Sequence, residues 1–110
     1  MRFGFLLTSG CESQDVYTVT KLARAALGQG HEVKMFIMGN GVHLLVDHPK
    51  NAWAEGWKAF LADGAEIACC GSSCEPRGVT KERLLPGVLF GSQYDHAEIV
   101  NWSDRYLVFG

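Results

Sequence analysis

Short, mostly apolar runs recur along the chain and alternate with segments that carry a helical pattern. The apolar runs predict five strands, at residues 2–8, 32–38, 65–70, 88–90 and 106–109. Helices are predicted at residues 13–27, 51–61 and 95–104, with shorter ones at 42–46 and 80–85. Continuous apolar runs are typical of strands buried on both faces, as in a parallel sheet covered by helices. The expected fold class is therefore α/β, a three-layer α/β/α domain with a five-stranded, mainly parallel sheet.

Polar and small residues mark the ends of these elements. Ser13 or Asp15 could cap the first helix, and Gly28 and Gly30 are natural stop signals after it. Three aromatic side chains share one face of the helix predicted at residues 51–61: Trp53, Trp57 and Phe60. This pattern indicates core packing, and part of the aromatic face could instead form a subunit interface.

Length and charge narrow the possible functions. The chain has 110 residues, 47% of them hydrophobic, and a formal net charge of -2, which suits a single domain over residues 1–110. Because there is no basic stripe, neither nucleic acid nor an anionic membrane is an expected partner. No apolar run reaches membrane-spanning length and the N-terminus lacks a signal-peptide pattern, so the expected location is the cytoplasm. Where thiols are kept reduced, four cysteines are more often catalytic, metal-binding or buried than paired in disulfides.

Polar and small residues also follow the predicted strands. In a parallel α/β sheet, ligands and chemistry collect beyond the carboxyl ends of the strands. This rule gathers candidate substrate- or partner-binding residues from the first two strand ends onto one edge of the molecule: Ser9, Gly10, Cys11, Gly39 and Asn40. Gly91 and Ser92 follow the fourth strand onto the same edge. Asp95 is interpreted as a helix-start residue rather than as half of a proton-handling pair with His96.

The segment that follows the third strand carries the strongest chemical signal. Cys70 closes that strand, and the next three residues leave backbone N–H groups free to approach an anion: Gly71, Ser72 and Ser73. Arg77 could add a fixed positive charge. Both features favour the thiolate, which is the nucleophilic form of cysteine. Because neighbouring strand residues point to opposite faces, Cys69 is expected to face a packed helix layer.

The spacing leaves the role of Cys74 open between a resolving thiol for Cys70 and an incidental loop cysteine. Pro76 disfavours helical geometry at Glu75, so no helix is expected from Cys70 through Cys74. A zinc site is not predicted, because only Cys70 and Cys74 have suitable spacing and no second pair matches them. No cofactor is predicted either, since the loop after the first strand is too poor in glycine for a flavin or nucleotide.

Three segments resemble the DsrE/TusD-like sulfur-relay proteins: GFLLTSG near the start, GQGHEV leading into the second strand, and IACCGSSCEPRGV. In that family a cysteine at the end of the third strand lies eight residues before the glycine of an Arg-Gly-Val sequence, as Cys70 does before Gly78. The resemblance covers nearly the full length and implies a DsrE-like variant of the flavodoxin-like fold. It also implies a persulfide on Cys70 and a homo- or hetero-oligomer, often trimeric or hexameric.

The leading hypothesis is therefore a sulfur carrier or sulfurtransferase. Its partners would be sulfur-donor and sulfur-acceptor proteins or small thiols, its catalytic residues Cys70, Cys74 and Arg77, and Gly78 part of the binding loop. One alternative is a non-catalytic oligomeric binding or assembly module with unreactive cysteines. Another is a thiol redox switch that uses Cys70 and Cys74.

Overall fold

The computed structural model describes residues 1–110. Five strands and four α-helices follow one another as β1 (Arg2–Leu7), α1 (Gln14–Gly28), β2 (Glu32–Ile37), α2 (Ala54–Ala62), β3 (Glu66–Cys70), α3 (Gly71–Cys74), β4 (Leu89–Gly91), α4 (Gln93–Trp102) and β5 (Arg105–Phe109). Short 3₁₀ helices occupy Gly39–Leu45, Glu75–Arg77 and Lys81–Arg83. None of the helices combines the length and apolar character needed to cross a membrane.

All five strands are parallel, in the order β4-β3-β2-β1-β5. The chain steps outward from β1 to β4 and then returns across the whole sheet to place β5 on the far side of β1. Because parallel crossovers are right-handed, this reversal of direction requires α4 to cover the opposite face from α1 and α2. The predicted three-layer α/β/α fold with a five-stranded sheet is confirmed.

The two faces of the sheet carry cores of different size. The face covered by α1 and α2, the thick face, has a cluster of 23 buried residues that includes Phe5, Met35 and Trp57. The face covered by α4 alone, the thin face, has a cluster of four: Phe36, Ala68, Cys70 and Ile99. Strand residues alternate between the two clusters because successive side chains of a strand point to opposite faces.

Local signals fix the helix starts that position the site. Ser13 caps α1, accepting a hydrogen bond from the backbone N–H of Asp15. Ser92 caps α4 in a capping box, in which the Asp95 side chain accepts from the Ser92 backbone N–H. Asp95 therefore acts at a helix start, as predicted, but the helix itself begins at Gln93, two residues earlier than the pattern indicated.

The segment after Cys70 differs from its prediction. Gly71–Cys74 form one α-helical turn that passes into a 3₁₀ turn over Glu75–Arg77, so the expectation that Pro76 prevents a helix here is wrong. Glu75 is helical, with φ -55° and ψ -55°. Its N–H donates to the Gly71 carbonyl, and Pro76 lies in the first turn of the 3₁₀ helix, where its missing N–H leaves no hydrogen bond unmade.

Candidate functional site

Strand register brings the carboxyl ends of the strands together at one edge. Leu7 lies opposite Ile37, Ile37 opposite Cys69, and Cys70 opposite Gly91. The loops that follow these residues therefore meet at the same edge. They include the predicted binding residues after β1 and β2 and the whole segment after β3.

Cys70 lies at this edge but is almost completely covered. The residue is 4% exposed and packs with Phe36, Ala68 and Ile99 on the thin face. Its sulfur lies 3.8 Å from Nε2 of Gln93, an exposed residue at the start of α4. Cys70 is therefore one side chain below the surface, where an open strand-end position had been expected.

Hydrogen-bond donors around the Cys70 sulfur favour its thiolate. Burial by itself raises the pKa of a thiol. Here the backbone and side chain of Ser73, the backbone of Ser72 and the Gln93 amide outweigh that effect and hold the pKa of Cys70 below its ordinary value. The predicted approach of loop amides to this sulfur is thus present, and Gln93 is an additional donor.

Ser73 and Arg77 fasten the β2 loop to the helical turn that carries these donors. The N–H of Gly39 donates to Ser73 Oγ at 2.9 Å, which leaves the Ser73 hydroxyl proton available to Cys70. Arg77 donates from Nε to Asn40 Oδ1 at 2.9 Å and from Nη1 to the Ser73 carbonyl at 3.0 Å. Gly39 has a φ of +58°, and a Cβ there would lie 2.8 Å from the Thr8 carbonyl oxygen, so this turn requires glycine.

The structure shows which groups Arg77 contacts, and its expected stabilisation of the Cys70 anion stays a prediction. Its guanidinium donates to Asn40 and to the Ser73 carbonyl, and its charge counteracts the raised pKa of Cys74. Arg77 therefore holds the backbone of Ser73, a residue whose N–H and hydroxyl donate to Cys70.

Cys69 and Cys74 lie on the other side of β3, within the thick-face core. Both are 0% exposed, and their sulfur atoms are 3.8 Å apart. Burial raises the pKa of Cys69 to about 12 and also raises that of Cys74. Cys69 faces a packed helix layer, as its alternation with Cys70 predicted. Cys74, which the spacing left open, contacts Cys69 and is held as a thiol.

Two surface depressions flank the site. One, of about 530 Å³, is lined by Gly10, the exposed Cys11, Asn40 and His43 among others. Asn40 connects it to Arg77 and so to the Cys70 loop. The second is a shallow groove whose lining includes three predicted binding residues, Gly71, Ser72 and Gly78. Ser9 lies between β1 and the first depression, and its buried hydroxyl has no hydrogen-bond partner.

Sequence reasoning missed the side chains that cover Cys70 on the thin face. Gln93 touches both Cys70 and the Met38 sulfur, which lies 3.7 Å from Gln93 Nε2. His96, one turn along α4, is hydrogen-bonded to Gln93 and to the hydroxyl of Tyr106 on β5. The sequence offered two signals: the position of Ser92 and Gln93 after the fourth strand, and His96, which was considered only as a partner of Asp95. No three His, Cys, Asp or Glu side chains converge as metal ligands.

Two proteins of known sequence are similar to this chain along most of its length. The uncharacterized protein MK0008 of Methanopyrus kandleri is 33% identical over 101 residues, which cover 84% of this chain and 80% of that protein. The uncharacterized protein MJ0989 of Methanocaldococcus jannaschii is 26% identical over 114 aligned positions, covering 99% of this chain and all of that protein.

Solved structures share the fold at lower sequence identity. The ychN protein from E. coli superposes with a TM-score of 0.90 at 18% identity, covering 99% of both chains. Protein MTH1491 from Methanobacterium thermoautotrophicum, described as of unknown function, superposes with a TM-score of 0.80 at 16% identity, covering 97% of both. The DsrE/DsrF-like family matches residues 1–109. The chain therefore belongs to the DsrE/DsrF-like family, as its three sequence segments indicated.

Proposed function

We propose that this protein is a sulfur carrier that accepts sulfane sulfur on Cys70 and passes it to an acceptor thiol. The Cys70 thiolate attacks the outer sulfur of a donor persulfide, R–S–SH. The new S–S bond forms as the donor's S–S bond breaks, and the donor leaves as the thiolate R–S⁻. An acceptor thiolate then attacks the outer sulfur of Cys70–S–SH, and Cys70 leaves as a thiolate. No net oxidation occurs in either step.

The observation that carries this proposal is the ring of donors around one sulfur. A persulfide, like a thiolate, is an anion at neutral pH, so the N–H and O–H groups that lower the Cys70 pKa suit both states. Neighbouring Cys69 and Cys74 have the opposite environment, because burial holds their protons. Among these three cysteines, Cys70 is therefore the one whose surroundings favour the nucleophilic thiolate. Membership of a family that includes sulfur-relay proteins supports the same assignment.

The shallow cover over Cys70 sets the conditions for transfer. Gln93, which contacts the sulfur, is itself exposed, so a donor is expected to approach Cys70 past this side chain. We propose persulfide- and thiol-bearing proteins or small thiols as donor and acceptor. All four cysteines are free, which fits a compartment with reduced thiols, and we propose the cytoplasm.

Exposed apolar side chains on both edge strands support self-association. Leu89 on β4 is 54% exposed and Val108 on β5 is 66% exposed. The unpaired backbone groups of an edge strand can also pair with another chain. We propose a homo-oligomer, with a trimer or hexamer expected. Light scattering coupled to gel filtration measures its mass, and a monomer at all concentrations would contradict this.

Mass spectrometry after incubation with glutathione persulfide tests the carrier function. The wild-type protein gains the mass of one sulfur atom, and fragmentation places it on Cys70. Cys70→Ser abolishes the adduct. The matched control is Cys69→Ala, which removes the adjacent thiol and keeps the adduct. A wild-type protein without an adduct, or one whose adduct survives Cys70→Ser, contradicts the proposal and leaves the non-catalytic assembly module as the better description.

A further inference from the structure

A chain of hydrogen bonds leads from Cys70 across the thin face to β5. Gln93 Nε2 lies 3.8 Å from Cys70 Sγ, and Gln93 Oε1 lies 2.8 Å from Nδ1 of His96. The other ring nitrogen of His96, Nε2, is hydrogen-bonded to the hydroxyl of Tyr106. This series of hydrogen bonds therefore links the Cys70 sulfur, the first turn of α4 and strand β5.

The orientation of the Gln93 amide gives this series of hydrogen bonds its direction. The oxygen end of the Gln93 amide faces His96 and can only accept, so Nδ1 carries the ring proton. Burial lowers the pKa of His96, which keeps the imidazole neutral with one N–H. Its Nε2 is then an acceptor, and Tyr106 donates to it. With its oxygen occupied, the amide presents its NH₂ end to Cys70.

Packing holds the His96 ring in the orientation that the chain requires. The ring is stacked on Phe36, with centroids 4.5 Å apart and an angle of 3° between the planes. Phe36 is 0% exposed and belongs to the same buried cluster as Cys70. A donor already oriented by its surroundings stabilises an anion without the reorganisation that water would need.

We propose that Gln93 is the side-chain donor that holds the sulfur anion on Cys70, as thiolate and as persulfide, and that His96 and Tyr106 are positioning residues that keep its NH₂ group aimed at the sulfur. The persulfide half of this inference rests on the proposed function, and the thiolate half does not. Gln93 supplements the backbone amides of α3 with a donor from a separate element. It is also the side chain that must turn aside when a donor molecule enters.

The pKa of Cys70 can be measured without any sulfur transfer. The ultraviolet absorbance of the thiolate is followed against pH, and the Cys70→Ser protein provides the background to subtract. Gln93→Glu replaces the NH₂ donor by an oxygen of similar size and adds a negative charge. We expect it to raise the pKa of Cys70 by about one unit, which is about tenfold less thiolate at neutral pH. The variant and the wild type share the other titratable side chains around the sulfur: Cys69, Cys74, Arg77, Asp95, His96 and Tyr106.

Two further variants test the positioning residues. His96→Phe keeps a ring to stack on Phe36 but removes both nitrogens, which frees the Gln93 amide to turn its oxygen to the sulfur. We expect the same upward shift, of about threefold in thiolate fraction. Tyr106→Phe, which deletes only the last donor, has a smaller effect in the same direction.

Matched controls lie on the same helix. Asn101→Asp adds a carboxylate to an exposed position of α4 remote from the sulfur, and Tyr94→Phe removes the hydroxyl of a tyrosine that is 86% exposed. Neither is expected to move the Cys70 pKa. An unchanged pKa in Gln93→Glu overturns the donor role, and an unchanged pKa in His96→Phe overturns the positioning role. If the shifts occur but the wild-type protein takes up no sulfur, this inference stands and the proposed function fails.

Discussion

The two faces of the sheet are built to different depths, and the cysteines are divided between them. The thick face buries 23 residues under two helices, whereas the thin face buries four under α4 alone. Cys69 belongs to the thick face and Cys70, the next residue, to the thin face. One peptide bond therefore separates a thiol whose burial raises its pKa to about 12 from one whose pKa is lowered.

Both the depth of burial and the groups near each sulfur produce this difference. Cys69 and Cys70 are 0% and 4% exposed, so both have lost nearly all contact with water. Around Cys70, however, donors from α3 and α4 replace the lost water, whereas Cys69 has a second buried thiol as its neighbour. On the thin face, polar groups at the starts of α3 and α4 lie close to the Cys70 sulfur. On the thick face, apolar side chains of the covering helices surround Cys69.

The largest expected effect is a difference in alkylation rate between Cys70 on the thin face and the two cysteines on the thick face. At neutral pH a thiol with a pKa of about 12 is ionised in roughly one molecule in 10⁵. Iodoacetamide is therefore expected to modify Cys70 at least about 10³-fold faster than Cys69 in the folded protein. It is also expected to modify Cys70 faster than Cys74, whose pKa is raised as well. Peptide mapping by fragmentation measures the three rates separately. Equal protection of Cys70 and Cys69, with all three labelled only in denaturant, would remove the distinction between the faces.

Two matched core substitutions, one on each face, compare how much each face contributes to the free energy of unfolding. Ile67 is 2% exposed on the thick face and Ile99 is 7% exposed on the thin one. Ile67→Ala is expected to lower the free energy of unfolding by about 4 kcal/mol, and Ile99→Ala by about 2 kcal/mol. The second is smaller because a helix on a four-residue cluster can settle into the space. Urea unfolding curves give both values, and the reverse order would mean that α4 carries more of the stability than its core suggests.

The fold could be predicted because its signals are local. Strands such as β2 and β3 are buried on both faces, so their apolar runs distinguish them from helices in the sequence itself. The strand-end rule then placed Cys70 at the carboxyl edge of the sheet without any knowledge of contacts. Alternation of side chains along a strand was enough to separate Cys69 from Cys70.

The cover of the site could not be predicted because it depends on tertiary geometry. Gln93 contacts Cys70, and His96 and Tyr106 are linked to it through Gln93, only because α4 crosses the thin face and begins at Gln93, two residues before the predicted start. The turn at Gly71–Cys74 was missed for a related reason. A local rule about Pro76 was overridden by hydrogen bonds such as the one from the Val79 N–H to the Cys74 carbonyl.

The free energy of unfolding is also expected to depend on pH through the cysteines of the thick face. In the folded protein Cys69 has a raised pKa, so it keeps a proton that the unfolded chain releases above about pH 8.5. The free energy of unfolding therefore falls as pH rises from there toward 12, by up to about 1.4 kcal/mol per pH unit from this group. Cys74 acts in the same direction.

Cys69→Ala tests this directly, since alanine does not titrate. Between about pH 8 and about pH 10.5, the loss of stability in the variant is expected to be about 2 kcal/mol smaller than in the wild type. Urea unfolding at the two pH values measures the difference. Identical losses in both proteins would show that the Cys69 thiol ionises as easily when folded as when unfolded.

The smallest expected effect concerns two adjacent serines at the start of α3. Ser73 offers both its backbone N–H and its hydroxyl to Cys70, whereas Ser72 offers only its backbone N–H. Ser73→Ala therefore removes one of several donors and is expected to raise the pKa of Cys70 by about half a unit. Ser72→Ala deletes a hydroxyl while it keeps the N–H, so the pKa stays at its wild-type value.

Thiolate absorbance against pH measures the pKa of Cys70 in both variants. The raised pKa of Cys69, on the thick face, serves as an internal reference that neither substitution should change. The Ser73 hydroxyl also accepts from the Gly39 N–H, so Ser73→Ala frees the β2 loop as well. A shift much larger than half a unit would mean that the loop, held by Ser73, does more to shape the sulfur site than the hydroxyl does by itself. No shift in Ser73→Ala would mean that the Ser73 hydroxyl does not stabilise the thiolate.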